Sequence, residues 1–210
     1  MPTDVGRRET ARAYLRESAD IKRKTAEACG DEIVAAADLI VRTFRDGGKV
    51  LLCGNGGSAA DCQHMATEFV SRLTKSFERP GLPAIALTTD TSFLTAFAND
   101  CGFDGVFERQ VQALGRPGDV LIGISTSGSS PNVVRAVGRA RSEGLRSVAL
   151  TGAQGQLASL ADVAISVPST DTQHIQEAHL AIEHLICWLV EHDLFSSPAV
   201  STAERIVYDH

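Results

Sequence analysis

The sequence predicts an α/β protein whose parallel β-sheet is covered by helices on both faces. Two observations favour this class: five short apolar segments occur between residues 49 and 168, and stretches with helical periodicity separate them. Continuous apolar strands are typical of strands buried on both sides, and strands that alternate with helices form parallel sheets. With 43% apolar and 22% charged residues, the 210-residue chain is expected to form a single globular domain over residues 1–210.

The first part of this domain, about residues 4–47, is expected to form two helices. The segment ETARAYLRESADIKRKTAEA is charged and has a thin apolar stripe, whereas DEIVAAADLIVRTFRDGG is more apolar. Gly47 and Gly48 at the end of the second segment are typical of a helix C-terminus. A helix with a thin stripe either covers a neighbouring element or joins a bundle between subunits, and the sequence favours neither alternative.

The sheet core is expected over about residues 49–195. Its five strand candidates are KVLLC (49–53), AIALT (84–88), DVLIGIS (119–125), RSVALTG (146–152) and DVAISVP (162–168). Helical patterns lie at 58–73, about 91–115, 131–143 and near 155–160, and a long final helix, TQHIQEAHLAIEHLICWLVEHDLF, follows. The apolar stripe of this last helix predicts that it packs on the sheet. The tail, residues 196–210, has little periodicity and is expected to be ordered only if it docks.

Composition argues against several classes of protein. The formal net charge of −6 speaks against nucleic-acid binding driven by bulk charge. Five cysteines without a C-x-x-C motif give no disulfide framework, which favours a reducing cytoplasm. No apolar run approaches the ~18 residues of a membrane span, and the N-terminal segment is polar. We therefore expect a cytoplasmic protein without nucleic-acid or membrane partners.

The loop after the first strand, GNGGSA (54–59), fits the G-x-G-x-x-A pattern of dinucleotide-binding loops. That interpretation also requires an acidic residue about 20 residues on, at the end of the second strand. Here the second strand comes much later, and its nearest acidic residue is Asp90. A lone glycine pattern is a weak signal, so we reject a dinucleotide site.

A second loop, STSGSS (125–130), follows the third strand and meets Pro131 at the start of a helix. Proline is favoured in a first helical turn, and a helix N-terminus offers free amides and partial positive charge to an anion. The loop contains no lysine or arginine, so amides and hydroxyls would have to bind a phosphate, which suits a small sugar phosphate. A serine-rich turn that merely caps the helix would give the same pattern.

Candidate acid–base and metal-binding residues occur in two helices. His64 and Glu68 are four residues apart on one helix face, with Asp61 one turn earlier, although a solvated pair would show the same spacing. The final helix has a second polar set: Gln176, Glu177, His179, Glu183 and His184. Periodicity does not decide whether His179 and Glu183 belong to a solvated face.

Over about residues 10–195 the chain resembles the sugar isomerase (SIS) domain family, and within it the phosphoheptose isomerases. The motifs that carry the resemblance are CGNGGSAAD, FANDCGFDGVF, GISTSGSSPNVV, ALTG and HIQEAH, in this order and spacing. The resemblance implies a flavodoxin-like, three-layer fold with a five-stranded parallel sheet and a homotetramer. It also implies conversion of sedoheptulose 7-phosphate to D-glycero-D-manno-heptose 7-phosphate, the first step of nucleotide-activated heptose biosynthesis.

The resemblance also implies the site residues and one zinc ion per subunit. The substrate contacts of the family match Asn55, Gly56, Gly57, Glu68, Asn99, Asp100, Ser125, Thr126, Ser127, Ser130 and Gln176. The metal positions match His64, Glu68, Gln176 and His184, and the catalytic positions match Glu68 and His184. Gln176 and His184 are eight residues apart, a rise of about 12 Å on a regular helix. They can therefore share an ion only if both side chains reach inward or if Gln176 lies at a helix start.

Glu68 is expected to move the C1 proton of the open-chain ketose, with His184 in the complementary acid role and Asp61 in support. Loop 125–130 is expected to hold the phosphate, while Asn55, Asn99 and Asp100 orient hydroxyls. Because a zinc-bound carboxylate is a poorer base, two alternatives remain. Either zinc polarises the substrate oxygens while Glu68 still moves the proton, or the ion rests in the site without substrate.

The main competing interpretation is a non-catalytic SIS adaptor that binds a replication initiator. That relative keeps the phosphate loops but lacks the carboxylate and histidine found here as Glu68 and His184, whose joint presence favours the enzyme. An isomerase of another sugar phosphate is a further alternative. The chain departs from the family pattern at Gln173 and His174, where relatives have an acidic residue and an arginine, so contacts of this segment to substrate or to a neighbouring subunit are not assigned.

Overall fold

The computed structural model describes residues 4–75 and 78–196, and within them five strands form one parallel sheet. The strands are β1 Val50–Gly54, β2 Ala84–Ala86, β3 Val120–Ser125, β4 Arg146–Thr151 and β5 Val163–Ser166. All five strand predictions are confirmed. The order β2-β1-β3-β4-β5 is that of flavodoxin-like sheets, in which ligands bind at the carboxyl ends of the strands where the order reverses, here between β1 and β3.

Helices cover both faces of the sheet, as expected for a three-layer sandwich. They are α1 Asp4–Arg45, α2 Gly57–Val70, α3 Thr91–Cys101, α4 Val106–Leu114, α5 Pro131–Ser142, α6 Leu157–Leu160 and α7 Thr172–Phe195. Alternate residues of β1 enter two separate cores: Val50 and Leu52 pack with α1, α2 and α7, whereas Leu51 and Cys53 pack with α4, α5 and α6. This alternation follows from the two-residue period of a strand.

The N-terminal region differs from the prediction, because α1 is one continuous helix of 42 residues instead of two. Gly30 lies at the expected break, and a side chain there would meet no atom within 4 Å. A glycine inside a helix costs about 1 kcal/mol relative to alanine and does not by itself end the helix. Buried residues on both sides of it, among them Ile21, Ile33 and Ile40, belong to one core. Tertiary packing therefore carries the helix through the glycine.

The stretch expected to be helical over about 91–115 is also divided differently. It consists of α3, a short 3-10 helix at Phe103–Gly105, and α4. Gly102 separates them with a φ of +90°, a conformation that L side chains rarely adopt and that commonly follows a helix end.

Two expectations from composition concern cysteines and membranes. All five cysteines are free thiols, four buried and Cys101 exposed. Among the helices of residues 4–75 and 78–196, none is both long and apolar enough to cross a membrane. Apart from Ser196, the tail lies outside the described residues, so its docking stays a prediction.

Candidate active site

The loops after β1 and β3 meet at the point where the strand order reverses. The side-chain amides of Asn55 and Asn132 bind each other reciprocally: Asn55 Nδ2 donates to Asn132 Oδ1 at 2.9 Å, and Asn132 Nδ2 donates to Asn55 Oδ1 at 2.8 Å. Asn132 lies in the first turn of α5 and is 2% exposed. The structure thus shows Asn55 joining the loop after β1 to the start of α5, and its expected contact with a substrate hydroxyl stays a prediction.

Gln176, from the first turns of α7, lies on the loop after β1. Its Nε2 donates to the carboxylate of Asp61, at 3.1 Å from Oδ2 and 3.4 Å from Oδ1. A Cβ added at Gly57 would come within 2.3–2.6 Å of the Gln176 amide group, so only glycine leaves room for it. Burial raises the pKa of Asp61, and the Gln176 amide and His64 oppose this rise. The buried Asp61 thus orients Gln176 across the first loop.

The serine-rich loop forms a compact cluster of hydroxyls before α5. The Ser125 hydroxyl lies 3.0 Å from that of Ser130 and 3.4 Å from that of Ser127. Gly128 has a φ of +63°, and Gly155 of the next loop packs directly against its backbone. The loop ends at Pro131, the first residue of α5, as predicted. Hydroxyls beside a helix N-terminus are suited to an anion, but the substrate roles of this loop and of Thr126 stay predictions.

His64, Glu68 and His184 come together between α2 and α7. Nε2 of His64 lies 2.7 Å from Nε2 of His184 and 3.7 Å from Oε1 of Glu68. One potential ligand atom from each of the three residues lies within 4.8 Å of the others. Two imidazoles and a carboxylate are donors that zinc accepts in proteins, so the residues present fit this metal. The same three groups can also donate and accept protons.

Gln176, the fourth expected ligand, contacts Asp61, which lies about one turn before His64 on α2. It precedes His184 by eight residues, so its Cα is separated from that of His184 by about 12 Å of helix rise. Its part in a metal site therefore stays a prediction.

Asn99 and Asp100 lie near the C-terminus of α3, where Asn99 Nδ2 donates to Asp100 Oδ1 at 2.8 Å. Both residues are exposed. Their hydrogen bond joins them to each other, and their expected contact with substrate stays a prediction.

Gln173 and His174, where the chain departs from the family pattern, contact α1. The Tyr14 hydroxyl lies 3.0 Å from Oε1 of Gln173 and 2.9 Å from Oε1 of Glu177. The His174 ring is 3% exposed and packs on the Tyr14 ring at a centroid distance of 4.5 Å. These residues therefore fasten the start of α7 to the N-terminal helix.

Two residues of α7 are buried, although the sequence did not decide whether they belong to the site or to a solvated face. His179 is fully buried, with Nε2 3.2 Å from the Thr151 carbonyl oxygen, and burial lowers its pKa to about 4. Glu183 is 1% exposed, and neither of its carboxyl oxygens has a hydrogen-bond partner among the described residues. Burial, followed by the charge of Asp61, raises the pKa of Glu183 to about 9. Both side chains are thus neutral at pH 7.

Asn132 is a further residue that sequence reasoning missed. It stands directly after Pro131 in a position expected only to begin a helix. Its sole sequence signal is the placement of a polar residue in a first helical turn that also borders a candidate ligand loop.

Comparison with known proteins gives consistent matches. Residues 13–152 match the family model of the SIS domain. The phosphoheptose isomerase of Roseiflexus sp. is 56% identical over 182 residues, covering 86% of this chain and 91% of the relative. That of Burkholderia pseudomallei (strain 1710b) is 53% identical over 189 residues, covering 87% and 95%. A solved phosphoheptose isomerase structure from Neisseria gonorrhoeae superposes with a TM-score of 0.82 at 44% identity, covering 88% and 98%.

More distant solved structures share the fold alone. The Vibrio vulnificus NanR protein, solved in complex with ManNAc-6P, has a TM-score of 0.63 at 17% identity and covers 88% of this chain. The fold by itself therefore does not decide between an enzyme and a sugar-phosphate-binding protein, and the site must do so.

Proposed function

The chain belongs to the SIS domain family, and we propose that it is a phosphoheptose isomerase converting sedoheptulose 7-phosphate to D-glycero-D-manno-heptose 7-phosphate. The observation that carries this proposal is the grouping of His64, Glu68 and His184 between α7 and α2, the helix that follows the loop after β1. Relatives of that name share more than half of their residues with this chain over most of its length. The reaction would supply the first intermediate of nucleotide-activated heptose biosynthesis.

Glu68 is the proposed base of the reaction. An aldose–ketose isomerisation removes a proton from C1 of the open-chain ketose and returns one to C2, through an enediol. The Glu68 side chain is 17% exposed, which allows it to meet a substrate while remaining partly screened from water. His184 is the exposed member of the group. It is proposed to transfer the proton between the substrate oxygens on C1 and C2.

The substrate is proposed to lie across the two loops that the Asn55–Asn132 pair joins. The Ser125, Ser127 and Ser130 hydroxyls, together with the positive end of α5, would hold the 7-phosphate. Gln176 would face the reacting end of the sugar from above Gly57. Hydrogen bonds from uncharged hydroxyls and amides suit a small phosphate ester in a chain of net charge −6.

Zinc is the proposed metal of the His64, Glu68 and His184 group, with Gln176 as a further oxygen ligand. A bound zinc ion supplies Lewis-acid polarisation of substrate oxygens. Glu68 then serves either as ligand or as base.

A homotetramer and a cytoplasmic location are part of the proposal. Exposed apolar side chains support the assembly, among them Phe103, which lies between α3 and α4 and is 53% exposed. Val5 and Leu15 of α1 are 69% and 68% exposed. Such surfaces are typical of subunit interfaces.

The direct test is proton NMR of sedoheptulose 7-phosphate with the purified protein in D₂O, with and without added zinc. An aldoheptose 7-phosphate carrying deuterium at C2 is the expected product. Glu68→Gln should abolish turnover and leave substrate binding intact, so an active Glu68→Gln enzyme would refute the assignment of the base. Folded parent protein that gives no product and no exchange at C1 would favour a binding protein or another sugar phosphate.

A further inference from the structure

The segment that follows α2 returns one arginine to the end of that helix. The Arg79 side chain is 1% exposed. Its Nη2 donates to the Glu68 carbonyl oxygen at 2.7 Å, and its Nη1 donates to that of Phe69 at 2.9 Å and to that of Pro80 at 3.1 Å. Carbonyl groups in the last turn of a helix lack partners within the helix. The guanidinium satisfies that of Glu68, whereas the Phe69 carbonyl oxygen also accepts a hydrogen bond from the Leu82 amide at 3.0 Å.

Arg79 is held in turn by Glu191 of α7. Nε of Arg79 donates to Glu191 Oε2 at 2.9 Å, and the Glu191 side chain is 2% exposed. The same carboxylate accepts hydrogen bonds from the Leu73 amide at 3.0 Å and the Thr74 hydroxyl at 3.2 Å. Burial opposes ionisation of Glu191, but the Leu73 amide and Arg79 outweigh it and lower its pKa, so Glu191 is ionised at neutral pH.

The pair connects the two helices that share the candidate active site. Arg79 binds the backbone of Glu68, the residue whose carboxylate faces His64. Glu191 lies seven residues, about two helical turns, after His184 on α7. The buried pair thus ties the backbone of one member of the metal-binding group to the helix of another.

Stability alone is a poor explanation for this pair. Replacing a buried ion pair by apolar residues of similar volume is often neutral or stabilising, because desolvation offsets the attraction between the charges. The guanidinium group of Arg79 donates hydrogen bonds to backbone carbonyl groups in the turn that carries Glu68. An apolar side chain could not make these bonds.

We propose that Arg79 and Glu191 are positioning residues: they fix the backbone of Glu68 so that its carboxylate stays beside the imidazoles of His64 and His184. This inference deepens the proposed function and rests on it for the kinetic prediction. The zinc affinity and the histidine environment follow from the geometry alone.

Two variants separate positioning from stability. Arg79→Lys keeps a positive charge next to Glu191 but lacks the planar fork that binds several carbonyl groups at once. The double variant Arg79→Met/Glu191→Leu replaces both charges by apolar side chains. We expect both to fold. The double variant leaves the Glu68 carbonyl and the Leu73 amide without these partners, so it should melt below the parent, as the control pair described next should. We expect a fall of about 10- to 100-fold in kcat and in zinc affinity, the range typical of residues that orient metal ligands, and a smaller change in KM.

A control pair lies at the other end of the sheet. Lys49 and Asp119 form an ion pair just before β1 and β3, and their side chains are 23% and 4% exposed. Asp119 also accepts hydrogen bonds from the amides of Lys49 and Arg116. Lys49→Met/Asp119→Leu should lower the melting temperature and leave kcat and zinc affinity unchanged.

The readouts are kcat, KM, zinc affinity from competition with a chelator, melting temperature, and the NMR shifts of the His64 and His184 rings. A folded double variant with parental kcat, zinc affinity and ring shifts would overturn the inference. If the double variant fails to fold, parental values of these three quantities in Arg79→Lys would overturn it. If the parent has no isomerase activity, the proposed function fails, and zinc affinity and ring shifts still decide the role of the pair.

Discussion

Gly57→Ala should impair the active site while leaving the fold nearly intact. The new Cβ would lie 2.3–2.6 Å from the Gln176 amide group, which is the far end of a flexible side chain and can move away. Moving it removes the hydrogen bond to Asp61, worth about 1.5–3 kcal/mol for a charged acceptor. Gly57 is the first residue of α2, where alanine gains less over glycine than the ~1 kcal/mol of a helix interior. We therefore expect a net destabilisation of about 1–3 kcal/mol.

The effect on activity should be larger than the effect on stability. A displaced Gln176 can no longer face the reacting end of the sugar or a metal, and a loss of about 10- to 100-fold in kcat/KM is expected. Urea unfolding measures the change in stability, and the rate at which heptose 7-phosphate forms measures kcat/KM. Gly30→Ala is the matched control, since its Cβ would meet no atom within 4 Å and should not change kcat/KM.

A double-mutant cycle tests whether Gly57 acts through Gln176. If it does, Gly57→Ala/Gln176→Ala should be no less active than Gln176→Ala alone. Losses that simply multiply, or a Gly57→Ala enzyme with parental kcat/KM, would refute the reasoning.

Three further predictions concern the loops and the buried acid. Gly128→Ala would place a Cβ 2.2 Å from a backbone carbonyl oxygen at a φ of +63°, so it should raise KM and lower the melting temperature, whereas Gly138→Ala, with open space around it, should do neither. Asn132→Ala removes the reciprocal amide pair with Asn55 and should raise KM in the same assay, with a loss of about 1–3 kcal/mol in urea unfolding. The pKa of Glu183 is raised from 4.5 to about 9, so between these pH values the unfolded chain ionises first and stability falls as pH rises. Glu183→Gln should therefore leave the free energy of unfolding unchanged at pH 4 and raise it at pH 8. The increase is up to about 1.4 kcal/mol for each pH unit above 4.5. Equal free energies of unfolding for parent and variant at pH 8 would contradict this.

The fold could be predicted from local pattern because its strands are buried on both faces and read as apolar runs. Where prediction failed, the deciding contacts were distant in sequence. Gly30 was expected near a helix break, yet the core that α1 shares with the sheet and α7 carries one helix through it. Gly102, which has a positive φ, divides the run of α3 and α4, and the helical periodicity of 91–115 did not predict this break.

The candidate site shows the same limit more clearly. The spacing of His64 and Glu68 predicts a shared helix face, and the structure places His184 of α7 against that face. Spacing within α7 could not separate a buried Glu183 from a solvated one, because burial depends on which side of the helix meets α2 and the sheet. Arg79 had no sequence signal at all, since its partners are backbone carbonyl groups, which every residue carries, and the carboxylate of Glu191, which is 112 residues away.

The final helix is the element that turns a sugar-phosphate fold into a candidate catalyst. The match to the SIS family model ends at residue 152, before α7 begins. The matched part includes both candidate ligand loops and the His64/Glu68 face. From α7, Gln176 reaches Asp61, His179 reaches Thr151 and His184 reaches His64. A chain that kept residues 13–152 and lost these contacts would keep both loops and Glu68 but not His184, the second proposed proton-transfer group. Family membership therefore accounts for the kind of ligand, and the polar face of α7 accounts for the proposed chemistry.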